Sequence, residues 1–410
     1  MINVAIMGHG VVGSGVAEIL ISHAESIEKK AKQAINIKYI LDLRDFDGLS
    51  YSDKFTKNFS DIENDESVKV VVEVMGGIHP AFDFVKACLL KGKSVVTSNK
   101  ELVAAKGDEL LKIANDNNVN FLFEASVGGG IPILRPMSQC LAANDIYEVY
   151  GILNGTTNYI LTKMVKENMP FEDALHAAQK HGYAEKNPDA DILGLDACRK
   201  ICILAALGFG KHVYPEDVST EGITDISLDD VDYADKLGYV IKLIGRASKL
   251  GNGKITASVY PALVPHGNML ADVNGVYNAV VVKGDAIGDV MFYGRGAGKM
   301  PTASAVVADV IDCVKHLQAR KYLSWDKAEA GYVEKTENAQ TKLYVRLCDV
   351  NKEFAENIKA VFGDVKMLTN DINGEIVFIT EKAVEKCLRE KLSTLKGCTV
   401  KTVLHTMENV

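Results

Sequence analysis

Residues 2–21 read I-N-V-A-I-M-G-H-G-V-V-G-S-G-V-A-E-I-L-I, and this stretch decides the fold of the first third of the chain. Ile2–Met7 is a short apolar run with β-branched residues, the pattern of a buried strand. Gly8-His9-Gly10-Val11-Val12-Gly13 follows at once, and Val16–Ile21 continues as a helix. Strand, G-x-G-x-x-G, helix is the dinucleotide-binding fingerprint in its proper context. Gly8 permits the tight turn, Gly10 lets the backbone approach a pyrophosphate, and Gly13 lets helix and strand pack closely. The helix N-terminus then offers free N–H groups to the phosphates.

The pattern continues outward. Ile35 to Leu41 reads as the second strand, Val68 to Met75 as a buried third, Ser94 to Thr97 as a fourth and Val119 to Phe123 as a fifth. Helices at Pro80–Leu90 and Glu101–Asn115 alternate with them. Alternating strands and helices with short links predict a doubly wound parallel sheet, a Rossmann-type domain over residues 1–135. Ligands bind beyond the carboxyl ends of such strands. Gly76-Gly77 ends one strand and Ser98-Asn99-Lys100 closes another, which sets Lys100 against the alternative of a merely solvated lysine. After the second strand, Asp42 suits a ribose hydroxyl, as in NAD binding. Arg44 suits a 2′-phosphate, as in NADP binding. The two signals conflict, and a plain surface pair is the competing reading. Glu124-Ala-Ser-Val-Gly-Gly-Gly-Ile-Pro132 carries an irregular backbone whose carbonyls could ligate a hard cation; otherwise it is a crossover loop needing positive φ.

Residues 136–299 read as a second, α+β domain. Ile146–Leu153 is a strand, and Asn154-Gly-Thr-Thr-Asn158 is a polar turn into helices at Tyr159–Glu167 and Phe171–His181. Tyr239–Lys249, Lys254–Leu263 and Val276–Lys283 suit a largely antiparallel sheet. Between them, Gly182–Lys200 sets Glu185, Asp189, Asp191 and Asp196 near Lys186 and Lys200. Asp196 and Lys200 are four apart on one helix face, while Leu195, Cys198, Cys202, Ala205 and Ala206 have the spacing of an apolar face. Such a segment could hold an ammonium-bearing substrate with carboxylates while a lysine handles a proton. An acidic solvated loop before a capped helix is the bland alternative.

Gly294–Gly298 is a glycine-rich loop, and an amphipathic helix from Pro301 to Gln318, drawn as 300–325 at its widest, is expected to pack back on the first domain. Lys335–Thr341 reads as a linker. The rest, within 335–410, follows strand, helix, strand, strand, helix, strand, a ferredoxin-like βαββαβ module.

Composition narrows the function. The chain has 410 residues and a net charge of −8, from 46 Lys+Arg against 54 Asp+Glu. That balance excludes nucleic acid as the main partner, since phosphate binding needs concentrated Lys/Arg. No apolar run is long enough to span a membrane, and the N-terminus reads as a strand rather than a signal peptide. Eight cysteines are scattered without a C-x-x-C pair, which predicts buried free thiols and a cytoplasmic protein.

Taken together, these motifs resemble homoserine dehydrogenase over nearly the whole chain. G-H-G-V-V-G, T-S-N-K at 97–100, E-A-S-V-G-G-G-I-P at 124–132, G-I-L-N-G-T-T-N-Y-I-L at 151–161 and G-R-G-A-G-K-M-P-T-A-S-A at 294–305 occur in the family's order. Ala178 to Lys200 is the most specific match. The resemblance implies reduction of L-aspartate 4-semialdehyde to L-homoserine with NADP or NAD. It further implies Lys200 and Lys100 as catalytic lysines, Glu185 on the substrate amino group, and Asp191 and Asp196 in the same site. Gly8, Gly10, Val11, Val12, Gly13, Arg44, Lys100 and Gly298 would touch cofactor. Backbone oxygens of Glu124, Val127, Gly129 and Ile131 would hold sodium, and the family suggests a homodimer or homotetramer. The C-terminal module resembles an ACT-type regulatory domain, with a departure: Asp349-Val-Asn-Lys-Glu-Phe354 stands where that family usually has Asp-x-Pro-Gly. Two rivals remain, another NAD(P)-dependent dehydrogenase and a dinucleotide-sensing regulator. Lysines at 100 and 200 speak against the regulator.

Overall fold

The computed structural model describes residues 1–318, 323–370 and 374–408. The chain forms two compact units. One comprises Met1–Tyr147, Cys202–Pro215 and Val282–Glu329; the other Glu148–Ile201, Glu216–Val281 and Ala330–Val410.

The first unit is built on six strands, β1 (Ile2–Met7), β2 (Ile35–Leu41), β3 (Phe55–Thr56), β4 (Val68–Glu73), β5 (Ser94–Thr97) and β6 (Phe121–Leu122). Their order is β3-β2-β1-β4-β5-β6, all parallel, the doubly wound order expected from the alternation. Val4, Ile6, Val70, Val72 and Val96 are fully buried, as a parallel sheet covered on both faces requires. The order reverses between β1 and β4, so Gly8 and Val74 lie side by side beyond the carboxyl ends. That switch point is where such sheets take ligands.

Two glycines show how tightly the fingerprint is packed. A Cβ on Gly13 would lie 2.0 Å from the carbonyl oxygen of Gly8. One on Gly15 would lie 2.9 Å from the Ala303 Cβ, where helix Val11–Ser22 crosses helix Lys299–Lys315. The late helix therefore does pack on the first sheet's elements, with Val306, Val307 and Val310 in the same core. It is shorter than the expected 300–325. His316 N donates to both Asp312 O and Cys313 O at 3.1 Å and closes it, residues 323–325 are not helical, and 319–322 lie outside the described residues.

Two strands also end early. β4 stops at Glu73 because that residue's own carboxylate takes the amides of Met75 and Gly76 (2.8 and 3.4 Å) and turns the chain. The expected strand 119–123 shrinks to Phe121–Leu122, since Phe123 (φ −151°, ψ 37°) already leads into a short 3-10 turn, Glu124–Ser126.

In the second unit a mixed sheet runs Tyr277–Gly284, Ile146–Ile152, Tyr239–Lys249, Ile255–Pro265, Thr399–Thr406, Leu343–Cys348, Glu375–Ile379, Lys366–Asn370. The last four strands, numbered within the βαββαβ segment, stand in the order 4-1-3-2 and are antiparallel, the pairing expected of that element order. Thr399–Thr406 also pairs in parallel with Ile255–Pro265 through Ala262 and Leu263. The segment is thus sewn to the strands before it. The expected linker 335–341 is ordered: Thr336–Asn338 is a 3-10 turn, and Gln340–Thr341 pairs with Ala383–Val384. The last helix follows directly, over Glu385–Thr394. A helix at Leu228–Leu237, opened by a Ser227/Asp230 capping box, was not foreseen. Leu195, expected on an apolar face, is 41% exposed at the helix start, whereas Cys198, Cys202, Ala205 and Ala206 are buried.

The crowding at Gly13 sets a test. Gly13→Ala should cost about 1–3 kcal/mol from overpacking, a loss of several degrees in Tm by thermal denaturation. At Gly10 a Cβ meets nothing within 4 Å, so Gly10→Ala should keep the wild-type Tm and weaken only dinucleotide binding. Equal Tm values for the two variants would contradict the packing account.

Candidate active site

In the second unit the acidic segment folds around one buried lysine. Lys200, on helix Leu195–Phe209, is 7% exposed. Its Nζ donates to Leu153 O at 2.8 Å and to Asp196 Oδ2 at 2.7 Å. An ammonium out of water needs such pairing, because desolvation otherwise costs several kcal/mol. Leu153 follows strand Ile146–Ile152, and the next residue, Asn154, caps helix Gly155–Glu167, its Oδ1 accepting from Thr157 N at 2.8 Å. The Asn154 amide nitrogen then donates to Asp191 Oδ1 (2.6 Å) and Asp196 Oδ2 (2.8 Å). Three of the expected residues, Lys200, Asp196 and Asp191, are thereby brought together through Asn154. Two carboxylates, an amide and an ammonium thus meet at one place.

Glu185 stands apart, exposed on the loop after helix Phe171–Lys180. Its backbone oxygen accepts from Gln179 Nε2 at 3.2 Å, and Thr156 Oγ1 ties the same loop to the Asn154-capped helix through Tyr183 O at 2.7 Å. The loop is held even though the Glu185 carboxylate faces solvent.

In the first unit the carboxyl ends of the strands gather the other expected residues. Gly8 adopts φ +100°. The helix behind it has no side-chain cap, so its first amides, Val11 and Val12 among them, stay available to an anion. Gly10 faces open space. These features fit a dinucleotide's pyrophosphate. After β2, Asp42 and Arg44 form one assembly. Arg44 Nε and Nη2 donate to Asp42 Oδ1 and Oδ2 at 3.0 and 2.9 Å, and His9 N donates to Asp42 Oδ2 at 2.8 Å. The Arg44 hydrogen bonds hold the Asp42 carboxyl well below the usual carboxylate range. The Arg44 side chain remains 62% exposed, its guanidinium 5.0 Å from the Phe46 ring centroid. The two signals that conflicted in the sequence are a single ion pair.

Lys100 is the first residue of helix Lys100–Asp116, not the end of a strand. A buried chain of hydrogen bonds fixes it: Thr97 Oγ1 donates to Glu73 Oε2 (2.6 Å), Asn99 N to Thr97 Oγ1 (2.9 Å), and Asn99 Nδ2 to Gly77 O (2.6 Å). Glu73 is fully buried, and desolvation raises its carboxyl above the ordinary value. Gly298 (φ +122°) is exposed at the N-terminus of helix Lys299–Lys315, which no side chain caps.

The 124–132 loop is buried through Gly129. The Glu124 carboxylate accepts from the amides of Ile133, Leu134 and Arg135 at 2.6, 2.9 and 2.7 Å, so it is committed to the chain. Its own N–H donates to Asp309 Oδ2 at 2.8 Å. Burial, with Glu124 nearby, pushes the Asp309 carboxyl up to about 7 despite its pairing with Arg135. A Cβ on Gly129 would lie 2.4 Å from Gly296 O, and that residue's φ of +56° also favours glycine. Among the described residues no group of three His, Cys, Asp or Glu side chains closes around a metal ion. A cation at this loop would depend on main-chain oxygens.

Asn154, Glu73 and Asn99 were missed as site residues by sequence reasoning. Asn154 did carry a signal, an Asn between a strand and a Gly-Thr-Thr helix start. Glu73 carried a weaker one, a lone acid inside V-V-V-E-V-M.

Comparisons with known proteins match both units. The family model described as "Homoserine dehydrogenase, NAD binding domain" matches residues 8–124, and that described as "Homoserine dehydrogenase" matches residues 132–311. A homoserine dehydrogenase of Bacillus subtilis (strain 168) is 43% identical over 321 residues, spanning 77% of this chain and 74% of that protein. The crystal structure of a homoserine dehydrogenase from Thiobacillus denitrificans superposes with a TM-score of 0.92 at 35% identity, over 99% of this chain and 98% of that one. A hyperthermophilic archaeal homoserine dehydrogenase mutant, solved in complex with NADPH, matches at 30% identity and a TM-score of 0.65, over 76% of this chain and 97% of its own.

Asn154 serves both as cap and as bridge, and two variants separate the roles. Asn154→Ala should lose about 1 kcal/mol from the cap and leave two carboxylates short of a donor, lowering Tm by several degrees. Asn154→Ser keeps the cap but is too short to bridge, and should recover part of that loss. Identical melting curves for the two variants would remove the cap from the account.

Proposed function

The chain belongs to the homoserine dehydrogenase family, and from that premise we propose how its residues divide the work. The reaction is the NAD(P)-dependent interconversion of L-aspartate 4-semialdehyde and L-homoserine, an oxidoreduction at a CH–OH carbon within amino-acid biosynthesis. The bound dinucleotide supplies or takes the hydride. Negative charge develops on the carbonyl oxygen as the aldehyde is reduced, and a cationic donor at that oxygen lowers the barrier.

Lys200 is that donor. The observation that supports it most directly is the arrangement of its ammonium, held by Leu153 O and Asp196. Two hydrogen-bond partners fix the amine and leave a third N–H for substrate. Asp191 and Asp196, aligned by Asn154, line the amino-acid end of the site. Glu185 grips the substrate ammonium as a charge-assisted pair, and its exposure is consistent with a carboxylate that acquires its partner on binding. Lys100, set by the Glu73–Thr97–Asn99 chain, orients substrate and nicotinamide. Gly8, Gly10, Val11, Val12, Gly13 and Gly298 cradle the dinucleotide.

NADP is the preferred cofactor on this reading. Arg44 occupies both oxygens of Asp42, so the carboxylate is poorly placed to accept from a ribose 2′-hydroxyl, while the exposed guanidinium suits a 2′-phosphate. The relative solved with NADPH agrees. Sodium, if bound, is held by backbone oxygens of Glu124, Val127, Gly129 and Ile131, where it would fasten the loop.

As functional parts we take 1–135 with the helix from residue 299, 136–299, and an ACT-like module at 335–410. In that module Asp349 (φ +62°) makes the turn before helix Phe354–Phe362 and accepts from Thr399 Oγ1 at 2.6 Å, so the usual Pro-Gly effector loop is replaced. We take the enzyme to be a cytoplasmic homodimer or homotetramer. No described helix is long and apolar enough to cross a membrane.

Two measurements check this reading. Lys200→Met should fold and bind dinucleotide but lose turnover by roughly 10²–10⁴-fold; a variant keeping a tenth of wild-type kcat would rule Lys200 out as proton donor. Arg44→Ala should raise the KM for NADPH about tenfold or more, as expected for the loss of a charge-assisted phosphate contact, with little change for NADH. Equal effects on the two cofactors would take Arg44 off the 2′-phosphate.

A further inference from the structure

The second unit holds a cleft of about 430 Å³ away from the Lys200 cluster. It lies where the segment Glu216–Glu221 and strand Ile255–Pro265 meet helix Glu385–Thr394 and strand Thr399–Thr406. Its lining carries five carboxylates, Glu216, Asp217, Glu221, Glu337 and Glu385, against only Lys335 and Arg389. An acidic surface alone is unremarkable, since exposed carboxylates are solvated. Here two of the polar groups are deeply buried and have unused bonding capacity.

His405 and Glu385 are each 5% exposed. His405 Nδ1 is engaged by Thr341 Oγ1 at 3.2 Å. Its Nε2 lies 3.8 Å from Glu385 Oε2, beyond hydrogen-bonding distance. Burial holds the imidazole at about 4, well below its ordinary value, so at pH 7 the ring is neutral and adds no charge to offset the acids. Glu385 Oε1 is taken by Arg389 Nε at 2.6 Å, leaving Oε2 toward the cleft. The Tyr260 ring stacks on His405 with centroids 4.1 Å apart, making a flat aromatic wall. Thr336 Oγ1, also in the lining, is buried with no hydrogen-bond partner. A hydroxyl left unpaired in this way costs stability. Burial also pushes the carboxyls of Asp217 and Glu221 above the usual value, and Arg389, 3.9 Å from Glu221, only partly offsets that.

A metal ion does not fit, because no three His, Cys, Asp or Glu side chains converge to ligating distance among the described residues. We infer that this cleft binds a small organic cation, a primary amine or guanidine. Its N–H groups would be taken by Glu385, Glu221 and His405, and its charge would rest against the Tyr260–His405 wall. The occupant would bridge the C-terminal helix to Glu221. Beyond Glu221, Ile223 N donates to Ile192 O at 2.8 Å, beside Asp191 of the substrate cluster.

The test is isothermal titration calorimetry on the full chain, with agmatine and putrescine as probes and sodium chloride at matched ionic strength as control. Agmatine should bind saturably at one site, undiminished by saturating L-homoserine. It should bind about tenfold or more weakly to Glu385→Gln and Glu221→Gln, the loss expected for a hydrogen bond to a charged group. Should Glu385→Gln fail to fold, Glu221→Gln decides, since that side chain is 44% exposed. No saturable heat from either amine, displacement by homoserine, or unchanged affinity in Glu221→Gln would each overturn the proposal. The measurement requires no turnover, so it stands independently of the roles given to Lys200 and Arg44.

Discussion

Holding an ammonium group out of water is the constraint around which the second unit is arranged. Lys200 reaches the interior only because a strand end offers a carbonyl, a helix offers Asp196 one turn away, and Asn154 steadies both carboxylates. The partners come from the strand-to-helix junction at Leu153 and Asn154, from the short helix Asp189–Ile192 and from helix Leu195–Phe209, so these must all be in place together. Removing one partner of such a buried pair costs more than the pair contributes, because the other charge is left uncompensated.

The first unit solves a different problem, bringing main chain close to main chain. Gly13 against Gly8, Gly15 against Ala303 and Gly129 against Gly296 are contacts that a single methyl group would block. Beyond β1, β2, β4 and β5 the loops are held to one another by their side chains. Glu73 is the clearest example. It ends its own strand, receives Thr97 from the next, and through Asn99 sets the helix that begins with Lys100.

Much of this was legible in the residues. Period and punctuation gave Ile2–Met7, Ile35–Leu41 and Ser94–Thr97 to the residue, because apolar β-branched runs bounded by glycine or charge have few alternatives. The spacing of Asp196 and Lys200 announced their pairing. What could not be read was whatever depends on partners distant in sequence. The early ends of β4 and β6 follow from a side chain folding back and from a local change of φ and ψ. The ordering of 335–341 follows from its pairing with Ala383–Val384. Asp42 and Arg44 read as rival signals because the sequence shows two charges and not the bond between them. Leu195 has the spacing of a core residue, yet a helix's first position faces outward here.

The order of strands in the second unit has a temporal side. Thr399–Thr406 lies inside the sheet, between Ile255–Pro265 and Leu343–Cys348, although it is the last in chain order among the described strands. Until that strand docks, its two neighbours have unsatisfied backbone edges. An open edge of this kind invites pairing with other chains. Loss of residues 399–406 would therefore open a gap in the middle of the sheet and not merely fray an end.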